Sequence, residues 1–244
     1  MPKWNPVFIK NDISGILRSR LMPPIRNRNM QFSVNKYVKN DKIIFWFPKN
    51  NAGWVRLSIR GKKNQKIKIE LNEKLNADGL VDMTIHMSHT YGPFQTLEYI
   101  CKGSDLEVYE PSFCYMGFQY VQISGASPQQ IVELVAVQVC TDHFESGQFR
   151  CSDLRINAIN DAAKLTFENG FHSYPEDCPQ REQAGWTEDG LISAMGSVYN
   201  YQLYHSYKKW IQDFCDHQHE SGQIPVIVPT PRWGKPSNLG IPEN

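Results

Sequence analysis

The chain has 244 residues, with 26 basic against 25 acidic side chains, 41% hydrophobic and 12% aromatic residues. That composition belongs to a folded globular protein, long enough for one large domain or two of ordinary size. The near balance of charge supplies no global attraction to nucleic acid or to an anionic membrane. No window approaches the roughly 18 consecutive apolar residues of a membrane span, and the start, "MPKWNPVFIKNDISG", lacks the apolar core of a signal peptide. As written, the sequence is expected to be cytoplasmic.

Residues 1–28 carry Pro2, Pro6, Pro23 and Pro24 and a basic run from Arg18 to Arg28, and they read as a linker or the remnant of an upstream domain. From about Ile43 to Val139 the pattern is that of strands. "WVRLSIRG" sets Val55, Leu57 and Ile59 against Arg56, Ser58 and Arg60, and "KIKIEL" sets Ile67, Ile69 and Leu71 against Lys68 and Glu70. Period two of this kind gives a sheet with one wet face. "FQYVQIS" and "IVELVAVQV" follow, bounded by Gly117, Gly125 and Pro128. Short strands between turn signals, without helical patterning, predict an antiparallel β-sandwich over residues 29–145.

After Ser146 the period becomes helical. Ser152 is expected to cap a helix bearing Leu154, Ala158, Ala162 and Leu165; a second stripe comprises Leu191, Ala194, Met195 and Val198; a third comprises Tyr207, Trp210, Ile211 and Phe214, closed by Gly222 and Pro225. Helix packing is the expected use of all three stripes. Residues 146–244 therefore form an α segment, and the chain is multidomain, β then α.

The six cysteines are spread singly, with no CxxC, and read as reduced thiols. His217 and His219 point to nearly opposite faces of a helix, and His86 with His89 lies in a polar stretch; no metal site is expected from either pair. No cofactor is called for.

The densest chemistry is "SYPEDCPQREQAGWTEDG", residues 173–190, which holds five carboxylates, an arginine, a tryptophan and two prolines. A solvated loop between helices is the ordinary reading. Yet Asp177, Glu182 and Asp189 stand five and seven apart, with Arg181 beside the central glutamate and Trp186 four residues beyond it. Converging carboxylates raise one another's pKa, and an aromatic wall adds desolvation. One carboxyl kept protonated as an acid, others accepting hydrogen bonds from sugar hydroxyls and an indole against the ring would suit glycoside hydrolysis.

"DCPQREQAGWTED" resembles the signature of the bacterial α-L-rhamnosidases, glycoside hydrolase family 78. "MPPIR" at residues 22–26, "NNAGWVRLSIRG" at 50–61, "YEPSFCYMGFQYVQISG" at 109–125, "GQFRCSDLRIN" at 147–157 and "SGQIPVIVPTPRWG" at 221–234 resemble the same family's sandwich, its junction to the helices and a later loop. The resemblance implies Glu182 as general acid, Asp177 and Asp189 as holders of rhamnose hydroxyls, and Arg181 and Trp186 in the same subsite. It also implies an apolar wall for the sugar methyl, to which Trp186 or Trp233 would contribute. The family is inverting, so a second carboxylate must act as base from the opposite face, about 6.5 to 9.5 Å away.

The family's catalytic domain is an (α/α)6 barrel. With helices of ~10 to 14 residues, residues 146–244 supply only its opening helices, so a truncated barrel lacking the base is expected, and with it no turnover by this chain alone. The expected partner is a rhamnose-containing glycoside or oligosaccharide, with no nucleic acid or membrane, and apolar stripes left uncovered would favour a homo-oligomer. Two other classes stay open: a carbohydrate-binding module without turnover, and a remnant with no function.

Overall fold

The computed structural model describes residues 7–8, 17–84 and 94–230. Eight strands precede three helices: β1 (Ile25–Phe32), β2 (Asn35–Lys39), β3 (Lys42–Ile59), β4 (Lys66–Asn72), β5 (Thr96–Ile100), β6 (Glu107–Tyr109), β7 (Met116–Ser124), β8 (Ile131–Thr141), α1 (Leu154–Asn169), α2 (Thr187–Ser197) and α3 (Tyr204–His217). Every strand pairing is antiparallel, and the main path runs β1-β8-β3-β7-β4-β5.

The long strand β3 turns this single hydrogen-bonded sheet into a sandwich. Its first part pairs with β2 and β7, its second with β8 and β6, and the register with β7 shifts between Trp46 and Asn51. Pro48 sits in that shift, where a strand tolerates a residue with no N–H to give. The sheet curls there and closes on a core that includes Phe47, Val55, Leu57, Ile69, Phe118 and Ile123, all fully buried. The alternation expected of "WVRLSIRG" is realised, since Val55, Leu57 and Ile59 are inside.

Glu70 departs from its expected place on the wet face. It is buried, accepting from Gln122 Nε2 at 2.7 Å and from the Lys68 ammonium, and those donors hold its carboxyl below the usual range against the opposing effect of burial. Glu107 is held lower still, to about 2, by the Tyr99 hydroxyl and by the amides of Lys102, Gly103 and Ser104.

The basic run from Arg18 to Arg28 is not wholly a linker. β1 starts at Ile25, ahead of the expected boundary at 29, because residues 25–27 pair with β8. Arg28 ties sheet to helix through Glu145 at 2.8 Å and Glu168 at 3.3 Å, and Tyr201 donates to the same Glu168 oxygen at 2.9 Å. Asn169, at the end of α1, completes the junction: its Oδ1 accepts from Ala52 N and Gln138 Nε2, and its Nδ2 donates to the Asn50 carbonyl.

Asp153, not Ser152, caps α1, accepting from Arg155 N at 2.8 Å. The third helical stripe packs through Tyr207, Trp210 and Phe214, whose rings meet edge to face, whereas Ile211 stays exposed. The first two stripes are largely uncovered: Leu154 is 79%, Leu191 63% and Met195 70% exposed, while Leu165 and Ala194 are half-buried. Apolar spacing alone does not show whether a partner surface is present, and here the described residues leave those faces open.

Candidate active site

The segment after α1 is held on three sides before it presents any functional group. Gly170 closes α1 with its N–H on Thr166 O and Phe167 O. Phe171 is then fully buried against His143, Phe167 and Tyr207. His172 follows with its Nε2 donating to Val139 O at 2.8 Å and its Nδ1 facing the Glu176 carboxyl at 3.1 and 3.2 Å. Tyr115, just ahead of β7, stacks on the imidazole at 3.9 Å between ring centroids.

Further along, a side chain at Gly117 would collide with Gln180 and Pro179, so the absent Cβ lets the segment lie against β7. Gln183 adopts a positive φ of 51° and anchors the turn by donating from Nε2 to Tyr115 O and Pro179 O. Beyond it, Val228 N donates to Gly185 O, and a Cβ at Gly185 would strike the Val228 carbonyl. The segment is thus wedged between the sheet and residues 226–228.

On this frame Asp177 has both oxygens engaged: Oδ1 accepts from Ala184 N at 3.0 Å and Oδ2 from the Cys178 thiol at 2.7 Å. Burial pushes its carboxyl above the usual range, and the nearby charge of Glu182 adds to the rise. Glu182 accepts from the indole N–H of Trp186 at 2.7 Å through Oε2. Burial and the bond to Asp177 push the Cys178 thiol up, an effect that the Arg181 side chain opposes. Cys178 therefore sits among Asp177, Arg181 and Glu182.

Asp189 belongs to the first turn of α2, not to the loop, and is exposed. Asp177 and Asp189 share a cavity of about 980 Å³ between α1, α2 and the edge of the sandwich; Arg181, Glu182 and Trp186 are not among its lining residues. Of the six site residues expected from the sequence, the five that are described fall into two adjoining groups, linked at Asp177. Trp233 lies outside the described residues, as do His86 and His89.

Four contributors were not legible as such. Glu176 stood in the acidic run but as one carboxylate among five, and His172, four residues before it, was the available signal. Cys178 looked like one of six scattered thiols, and Tyr115 lies far away in sequence. Among the described residues no group of three His, Cys, Asp or Glu side chains is arranged to hold a metal ion. His217 instead donates from Nδ1 to Asp213 O. No described helix is long and apolar enough to cross a membrane, and all six cysteines are unpaired.

A curled antiparallel sandwich thus leads into helices, with a carboxylate-bearing segment between the first two. The sequence model of the bacterial alpha-L-rhamnosidase concanavalin-like domain matches residues 36–141, and that of the bacterial alpha-L-rhamnosidase 6 hairpin glycosidase domain matches residues 145–240. The chain belongs to the bacterial α-L-rhamnosidase family.

An alpha-L-rhamnosidase of Formosa agariphila is 36% identical over 194 residues, covering 75% of this chain and 20% of that protein. The structure of alpha-L-rhamnosidase from Dictyoglumus thermophilum superposes with a TM-score of 0.83 at 30% identity, over 91% of this chain and 25% of that one. The fold is also that of the Streptomyces avermitilis alpha-L-rhamnosidase complexed with L-rhamnose, with a TM-score of 0.81 at 24% identity, over 87% of this chain and 21% of that one. The chain spans about a fifth to a quarter of the length of the relatives it matches.

Proposed function

We propose that residues 173–190 are the acid half of a site that removes terminal α-L-rhamnose from glycosides with inversion. The observation that carries this reading is geometric: Glu182 is fixed by the Trp186 indole at 2.7 Å, on the same segment where Asp177 is held by Ala184 N and the Cys178 thiol. Family membership and the L-rhamnose bound by the Streptomyces avermitilis relative support the choice of sugar.

In this reading the Glu182 carboxyl gives its proton to the glycosidic oxygen as the C–O bond breaks, and the leaving group departs as an alcohol. A water attacks the anomeric carbon from the opposite face and loses its proton to a second carboxylate. Asp177 and Asp189 accept hydrogen bonds from rhamnose hydroxyls, Arg181 lines the subsite, and Trp186 offers apolar surface to the 6-deoxy methyl group. The base is assigned to no residue of this chain.

The folded 244-residue chain is accordingly expected to release no aryl alcohol from an aryl α-L-rhamnoside. Release that disappears in Glu182→Gln would keep the acid and overturn the assignment of the base to a residue elsewhere. Release that persists in Glu182→Gln would overturn the acid itself. L-Rhamnose binding without any turnover in a form of the protein that includes a base would instead favour a carbohydrate-binding role.

A further inference from the structure

We propose that the β-sandwich contributes a wall of the sugar cavity, in which Glu73 and Asn50 hydrogen-bond hydroxyl groups of the bound glycoside. This rests on the reading of residues 173–190 as a rhamnoside site.

Both side chains line the same cavity as Asp177 and Asp189, though they come from the far side of the domain junction. Both are also held in position. Asn50 Nδ2 donates to Glu73 Oε1 at 2.6 Å, Asn50 Oδ1 accepts from Asn51 N at 3.1 Å, and the Asn50 carbonyl accepts from Asn169 Nδ2 at 3.2 Å. The Glu73 amide donates to Asn72 Oδ1 at 2.7 Å. Fixed polar groups on a rigid frame are what a specific pocket requires, because little rotamer freedom is lost when the ligand arrives.

The chemistry of the wall selects the ligand. Glu73 Oε2 makes no hydrogen bond among the described residues, and Oε1 of Gln180, on the same cavity, is a buried acceptor with no partner. Lys164 is the cation on this surface, and its ammonium is turned to Glu145 Oε2 at 2.8 Å. Unmet acceptors therefore stand at one side of a cavity whose remaining lining, with Ile156, Ile159 and Ile192, is largely apolar. An anion is disfavoured by the carboxylates, an apolar group would leave the acceptors unmet, and a neutral molecule bearing several O–H donors satisfies them. A sugar with vicinal hydroxyls is such a molecule.

The test is calorimetric titration of the full 244-residue chain with methyl α-L-rhamnoside and with its 2-, 3- and 4-monodeoxy derivatives. Wild type, Glu73→Ala, Glu73→Gln and Asp189→Asn would be compared, each shown folded by circular dichroism. Loss of a hydrogen bond to a charged acceptor is expected to weaken binding roughly tenfold in Glu73→Ala. One monodeoxy sugar should lose a similar factor on wild type and nothing further on Glu73→Ala, a coupling that a merely structural role would not produce. Binding weakened by Asp189→Asn but equal to wild type in both Glu73 variants would overturn the sandwich wall and leave the acid half-site standing. No binding by folded wild type would overturn both.

Discussion

Replacing Glu176 with alanine is expected to destabilise the fold by about 3 to 5 kcal/mol, the range for breaking a buried ion pair from one side. Its side chain and that of His172 are 0% and 1% exposed. Nε2 of His172 must donate, because its partner is the Val139 carbonyl. Nδ1 is therefore the ring atom that faces Glu176, at 3.1 and 3.2 Å from its two carboxyl oxygens. Burial pushes the Glu176 carboxyl up, and the hydrogen bonds from His172 and Tyr115 pull it back. Alanine would leave Nδ1 facing a dry space with Tyr115 stacked above it. Urea denaturation measures the effect as a shift in midpoint at unchanged slope. Glu176→Gln, which keeps a hydrogen-bonding group in reach of Nδ1, should lose less. A midpoint for Glu176→Ala within error of wild type would contradict this account. Because Asp177 is the next residue, the same pair fixes where the candidate site begins.

Phe171→Ala is expected to cost a similar amount, about 3 to 5 kcal/mol, by leaving a cavity at the junction of sheet and helices. The ring is fully buried, edge on to His143 at 4.6 Å and packed against Phe167 and Tyr207. This cluster is small, comprising Phe167, Phe171, Tyr201 and Leu203 with Tyr207 beside it, so few neighbours can collapse into the space. The sandwich has its own larger core, centred on residues such as Phe47 and Phe118. Thermal unfolding should therefore show the helical segment loosening first: near-ultraviolet signals from Tyr201, Tyr207 and Trp210 lost before the far-ultraviolet signal of the sheet. A single coincident transition at the wild-type temperature would contradict the prediction.

The sheet was legible because period two survives in sequences such as "WVRLSIRG", where burial and exposure follow the side-chain alternation of a strand. Glu70 escaped that rule because its partners Gln122 and Lys68 stand on a neighbouring strand and on its own, and pairing is invisible in one strand's pattern. Arg28 escaped for the same reason, its partners Glu145 and Glu168 lying more than a hundred positions away. The acidic run between the first two helices was legible from density and spacing, and Asp177, Glu182 and Trp186 do come together there. Its internal split was not legible, because the boundary between the loop and α2 falls at Thr187, inside the run, and carries Asp189 onto a helix. The wall formed by Asn50 and Glu73 could not be read at all, since only the fold brings that edge of the sandwich to the end of α1.

Whether residues 173–190 hold L-rhamnose is decided by amide NMR of the ¹⁵N-labelled chain titrated with the sugar. Cross-peaks of Asp177, Glu182, Trp186 and Asp189 are expected to move in a saturable way, and Asp189→Asn to weaken the response. A well-dispersed spectrum in which no cross-peak of that segment moves would contradict it.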